Sequence, residues 1–229
     1  MNATPARRDA AALAGGPTGS DASARLGALL GSAVAALDAV PRDVDLFRAL
    51  GDDALLALTR VAADEVRLAE LHVSLLAGEI ARRSAPELGS DGLAQRTGHR
   101  TPDELVRVTT GTRQAAARTA VRVGAVAGSS TPTAVGAALL EGRVSVAVAD
   151  AIQTGLGKPT TSVDAAALDA AAGSLIDRHG NLDADRACRE ARAVRDELDL
   201  AGVADREAER REQRSFRLGR RANGMGWAH

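Results

Sequence analysis

An all-α fold is predicted, a multi-helix bundle around one long helix, and three observations predict it. Apolar residues recur by three and four from Asp52 to Arg83. N-cap residues and glycine stops divide most of the remaining chain into helix-length pieces. Strand-like alternation is confined to the last residues, where it predicts a short truncated β-hairpin.

In chain order, residues 1–22 are rich in Ala, Gly, Ser, Thr and Pro without an apolar period and are expected to be a disordered leader. A first amphipathic helix follows, because Leu26, Leu29, Leu30, Ala33, Val34 and Leu37 recur at helical spacing before Pro41, with Gly27 and Gly31 weakening it. In the long helix, Leu55, Thr59, Ala62, Val66, Ala69, Val73, Leu76 and Ile80 form a heptad-like seam, widened by Leu58, Val61, Leu68 and Leu75. At 1.5 Å per residue it spans roughly 45 Å, which suits either the spine of the fold or a dimerisation helix.

Leu93-Ala94-Gln95-Arg96 reads as a short helix closed by Gly98. Thr101, Pro102 and Glu104 then supply an N-cap, a first-turn proline and a capping-box acid. The helix they begin is expected to continue to Ala127, with Gly111 and Gly124 as soft points. Helices from Thr133 to Leu140 and from Ser145 to Ile152 flank a turn at Glu141-Gly142-Arg143. After a loop at 155–162, Ser162 is expected to open a helix that closes at His179-Gly180, and the last helix runs from Asp183 to Leu198. The helical domain is thus 23–202. Residues 203–229 form a charged linker and an incomplete hairpin, with Arg214 to Leu218 as one strand and Met225 to Trp227 as the start of its return.

Of 229 residues, 45% are hydrophobic, enough for a core, yet much of that fraction is alanine, and Phe47, Phe216 and Trp227 are the only aromatics. Such an interior buries little area per residue, so stability must come from many close helix–helix contacts. The formal charge of -1 exerts no global pull on nucleic acid, so any such partner needs a local patch. Cys188 stands alone, which excludes an intramolecular disulfide and multi-cysteine zinc sites and suits a reducing cytoplasm. The N-terminal Ala/Leu run breaks at Gly15-Gly16-Pro17, and no segment reaches the roughly 18–20 apolar residues of a membrane span. A soluble, cytoplasmic protein without a membrane partner is expected.

Candidate chemistry is sparse. His72, His99, His179 and His229 are far apart, none pairs with another His or Cys at helical spacing, and the H-E-x-x-H and C-x-x-C motifs are absent. His72 is expected at the rim of the core. Cys188, between Arg186 and Arg189, has no nearby histidine to act as its base. Gly155-Leu156-Gly157-Lys158 lacks the other residues of a phosphate loop, and the acids Asp103, Glu104, Asp183 and Asp185 sit at helix starts, where the dipole accounts for them. No catalytic set, metal site or cofactor is expected, so the chain as it stands is not expected to be an enzyme.

One electrostatic signal stands out. From Leu105 to Leu140 there are four arginines and no acid, and on one ideal helix Arg107, Arg118 and Arg122 fall within about 60°. Arg96 and Arg100 lie just before them in a helix-turn-helix-like opening, so Arg96, Arg100, Arg107, Arg118 and Arg122 are the expected DNA contacts. The turn is longer than that motif usually allows. Arg214, Arg217, Arg220 and Arg221 form a second cluster, which would extend such a surface or protect a strand edge.

Three ordered motifs, Leu93-Ala94-x-Arg96-Thr97-Gly98, Ala138-Leu139-x-x-Gly142-Arg143-Val144-Ser145 and Arg214-x-Phe216-x-Leu218 leading to Asn223-Gly224-Met225, resemble the thirteen-E-twelve repeat family. The resemblance spans roughly residues 44–229. It implies an actinobacterial helical domain of unknown function that usually precedes an HNH endonuclease domain. The chain departs from the family pattern at Gly92, often Trp, at Val148, often His, and at Asn223, usually Asp. No HNH motif with its metal-binding histidines stands within these residues, so none of them is expected to inherit nuclease chemistry. The expectation is a non-catalytic module that positions DNA for an HNH domain. The competing expectations are a structural module that homodimerises through the long helix and a truncated gene product without independent function.

Overall fold

A computed structural model describes residues 19–161, 163–178 and 183–199, with the short strands 218–220 and 226–228. Most of the expected leader lies outside the described residues. The all-α class holds, with ten α-helices among those residues. None of these helices is long and apolar enough to cross a membrane. Contacts divide the chain into two units, 1–58 and 59–229.

In the first unit, α1 (Gly19–Asp38) runs unbroken through Gly27 and Gly31, and Leu26, Leu29, Val34 and Leu37 stay exposed along it. A five-residue helix, α2 (Val44–Arg48), follows Asp43, whose carboxylate accepts from the Asp45 N–H at 3.0 Å. It is too short for a period to reveal it, and only its cap signals it. The third helix, α3 (Asp52–Arg82), begins in this unit and has the expected length.

Within the second unit, α3 buries Ser74, Ala77 and Gly78, not the heptad seam. A 3-10 turn (Pro86–Asp91) leads to α4 (Leu93–Arg96). The buried Ser84 hydroxyl holds this junction, accepting from the Ala94 N–H at 3.0 Å and donating to the Ile80 carbonyl at 2.8 Å.

The expected single helix from Thr101 to Ala127 is two helices, α5 (Pro102–Thr110) and α6 (Gln114–Ala127). Gly111 adopts φ 68°, the left-handed conformation that only glycine takes without strain, and its N–H closes α5 on the Arg107 carbonyl. The Thr101 cap is present, accepting from the Glu104 N–H at 3.3 Å. Glu104 reaches back to the N–H of Arg100, one residue before the position of a capping box.

The remaining helices are α7 (Ala134–Leu140), α8 (Val146–Leu156), α9 (Ala165–Arg178) and α10 (Ala184–Leu198). Thr133, Ser145 and Asp183 cap α7, α8 and α10 through their side chains. The expected start of α9 at Ser162 is corrected: the helix begins at Ala165, with Asp164 accepting from the Ala167 N–H at 2.8 Å. Ser162 and the expected stop at His179-Gly180 lie outside the described residues.

Helix α8 packs on α6, α7, α9 and α10, and its Val148, Ala149 and Ile152 join Leu139, Leu168 and Leu175 in the main core. At the C-terminal end of α8 the half-buried Arg195 of α10 donates to the carbonyls of Leu156 and Lys158, at 2.8 and 2.7 Å. A guanidinium thereby satisfies the last carbonyl of the helix, which the helix end leaves without a partner, and one in the loop just beyond it. Strands 218–220 and 226–228 pair antiparallel, Leu218 opposite Ala228. The expected strand residues 214–217, and the arginines of the second basic cluster other than Arg220, lie outside the described residues.

Two glycine contacts replace the missing large side chains. Gly78 of α3 and Gly124 of α6 meet backbone to backbone: a Cβ on Gly124 would stand 2.7 Å from the Gly78 nitrogen and 2.8 Å from the Ser74 carbonyl carbon. Gly155 of α8 likewise lies against α10, where a Cβ would meet the Ala191 side chain and the Cys188 carbonyl. Gly124→Ala drives a methyl into backbone that cannot turn aside, so it should exceed the ordinary overpacking cost of about 1–3 kcal/mol. Ala116→Gly on the exposed side of the same helix should cost only about 1 kcal/mol. Denaturant unfolding of both variants checks the contrast, and equal losses would mean that the helices separate freely at this crossing.

Candidate functional site

Helix α3 presents two different faces. Arg67, Leu71, Ser74 and Gly78, spaced by four, three and four, turn towards the fold, and Ser74 and Ala77 are each 1% exposed. The heptad seam lies on the order of 120° around the helix from that stripe. Val66 and Leu76 on the seam are 57% and 55% exposed, and Leu58, Val61 and Leu68 beside it are exposed too. His72, expected at the core rim, is also exposed.

At its C-terminal end the seam meets α5 in a groove of about 360 Å³, lined by Val73, Leu76, Ala77, Ile80, Leu93 and Val106, with Glu79 and Arg83 on its rim. The Glu79 carboxylate accepts from both Arg82 and Arg83 at 2.6 Å, and these two guanidiniums hold its pKa down at about 2. The rim is therefore charged but internally paired, and the floor is apolar.

The five expected arginines do not form one stripe. Arg107 lies on α5, whereas Arg118 and Arg122 lie on α6 beyond the break at Gly111. Arg118 pairs with Asp103 at 3.3 Å, and Arg122 pairs with Asp150 of α8 at 2.5 Å. Asp103 also accepts from Gln114, so the first turn of α5 is tied to the first turn of α6. Burial opposes ionisation of Asp103, but hydrogen bonds from the Thr101 hydroxyl and its own amide, with the Arg118 guanidinium, outweigh it and keep its carboxyl below the usual value. In the sequence the helix dipole is reason enough for Asp103, and nothing local marks Asp150. Their roles depend on helix packing, which no local pattern reports.

Arg96 and Arg100 are exposed, Arg107 is half-buried, and none has an ion-pair partner among the described residues. The exposed side of α5, the supposed recognition helix, carries Val108 and Thr109. No group of three or more His, Cys, Asp or Glu among the described residues is placed to hold a metal.

Most motif residues are explained by folding. Ala94 is fully buried, the Thr97 hydroxyl donates to the Leu93 carbonyl at 2.8 Å, and Gly98 takes φ 80°. In the second motif Ala138, Leu139 and Val144 are buried, Gly142 takes φ 72°, Ser145 caps α8, and Arg143 pairs with Glu141 and with Asp177 of α9. Both are helix-stop and helix-start devices. Residues 51–229 match the family described as Domain of unknown function (DUF222). The chain belongs to this family. No curated protein and no solved structure matches it. In this DUF222 chain the motifs therefore mark the α4–α5 and α7–α8 corners, and Arg96, whose amide donates to the Gly92 carbonyl at 2.9 Å, is the exposed motif residue whose side chain has no hydrogen bond or ion pair among the described residues.

Proposed function

We propose that this DUF222 chain is a non-catalytic helical module that pairs copies of an HNH-nuclease-type protein through α3. The observation that carries this reading is the outward seam. Thr59, Ala62, Val66, Ala69, Val73 and Leu76 keep a coiled-coil spacing on a face that the fold leaves to solvent, while the buried stripe lies elsewhere on the same helix. A solvated surface helix gains nothing from a second apolar face, whereas a pairing helix needs one. The HNH association comes from the motif resemblance. A two-fold pair of such modules would present two nuclease domains to one duplex.

Val66→Glu with Val73→Glu tests this, because both side chains are exposed and charge there should spare the fold. In sedimentation equilibrium the natural chain should approach twice the monomer mass as concentration rises. The double variant should stay at monomer mass with the same helix content. A natural chain that is monomeric at every concentration would refute the reading.

A second reading, DNA contact, draws support from Arg96, Arg100 and Arg107, whose charges no acid among the described residues neutralises. Arg118 and Arg122 contribute less to it, since Asp103 and Asp150 already hold them. If the three act on phosphates, replacing them all with Ala should weaken binding to a random duplex and flatten its salt dependence by about 0.9 per lost contact. Unchanged affinity would discard this reading.

A further inference from the structure

The groove between α3 and α5 leaves about 360 Å³ of apolar-floored space open beside an exposed seam, a surface suited to an apolar occupant. We propose that it seats the N-terminal half of α3 from a second copy of this chain, so that the two α3 helices pair antiparallel. This rests on the pairing reading above and adds the direction of pairing.

The first argument is register. With Thr59, Val66 and Val73 at a positions and Ala62, Ala69 and Leu76 at d positions, a single antiparallel alignment sets Val66 against Ala69, Ala62 against Val73 and Thr59 against Leu76 of the second copy. Every layer then joins an a residue to a d residue, and larger side chains meet smaller ones. The alignment maps onto itself under a two-fold axis, as a closed dimer requires.

The second argument is the groove's place along the seam. Val73, Leu76 and Ile80 belong to both, so a helix paired with this end of the seam also lies in the groove. In the antiparallel alignment that helix segment is residues 55–62 of the second copy, which carries the exposed Leu55 and Leu58. In a parallel alignment the segment would be the second copy's own Val73 to Ile80, with its α5 alongside. The two grooves would then face each other and neither would be filled.

Charge gives the third argument. Parallel pairing places the exposed Glu65 of each copy opposite Glu70 of the other, two like-charge contacts per dimer. Antiparallel pairing places Glu65 opposite His72 instead and leaves Glu70 beside Ala63.

Two single-cysteine chains test the direction, Ala62→Cys and Val73→Cys, each with Cys188→Ser to remove the native thiol. Both positions are exposed, so the fold should tolerate them. Each chain is oxidised alone and as an equal mixture, then run on a non-reducing gel beside a sedimentation measurement. Antiparallel pairing predicts a covalent dimer from the mixture and little from either chain alone. Covalent dimers from each chain alone would mean parallel helices, overturning the direction while the pairing stands. Monomers throughout would overturn both, and dimers that never cross-link would place the interface away from the seam and overturn both as well.

Discussion

The backbone contact between Gly78 and Gly124 determines how α3 can be used. Two helices come this close only where neither carries a side chain, so the crossing fixes both the depth of α3 against α6 and its rotation about its own axis. With Ser74, Ala77 and Gly78 turned inward, the seam through Val66 and Leu76 has to point out. In most soluble folds the largest apolar stripe of a helix faces the core. Here the smallest one does, and the larger stripe stays exposed. The same economy recurs at Gly155 against Ala191, so a chain poor in aromatics builds its interior from close helix approach rather than from large buried side chains.

Much of this fold was legible in the sequence because its helix ends are written in side chains. Thr101, Thr133, Ser145 and Asp183 all cap through the oxygen that their residue type provides, and Gly98 and Gly142 stop helices in the left-handed conformation. Period and caps failed together at Gly111, where apolar and basic residues continue at helical spacing on both sides of a glycine that ends one helix. A glycine at a C-terminal stop and a glycine at a helix crossing look alike in sequence: Gly111 is the first kind and Gly124 the second. The heptad seam was visible as a face, but periodicity cannot say which of two faces the fold will bury. The spacing of Ser74, Ala77 and Gly78 held that information, as a stripe of small residues able to admit another backbone.

The arginines show the same limit in electrostatic form. A run without acids in sequence is not a run without acids in space, and Asp103 and Asp150 reach Arg118 and Arg122 from neighbouring helices. These exposed pairs contribute little to stability, each on the order of 0–1 kcal/mol, but they lower the charge available to a polyanion. What remains without an acid partner among the described residues is Arg96, Arg100 and Arg107, fewer free charges than the sequence suggested.

The most direct test of the two-faced α3 is hydroxyl-radical footprinting of the whole chain over a dilution series, read residue by residue along this helix. The seam residues Val66, Val73 and Leu76 should be protected at high concentration and become reactive on dilution. Leu71, on the inward stripe, should react slowly at every concentration. Seam residues that react equally at all concentrations would contradict a pairing role for α3 and leave its outer face to solvent.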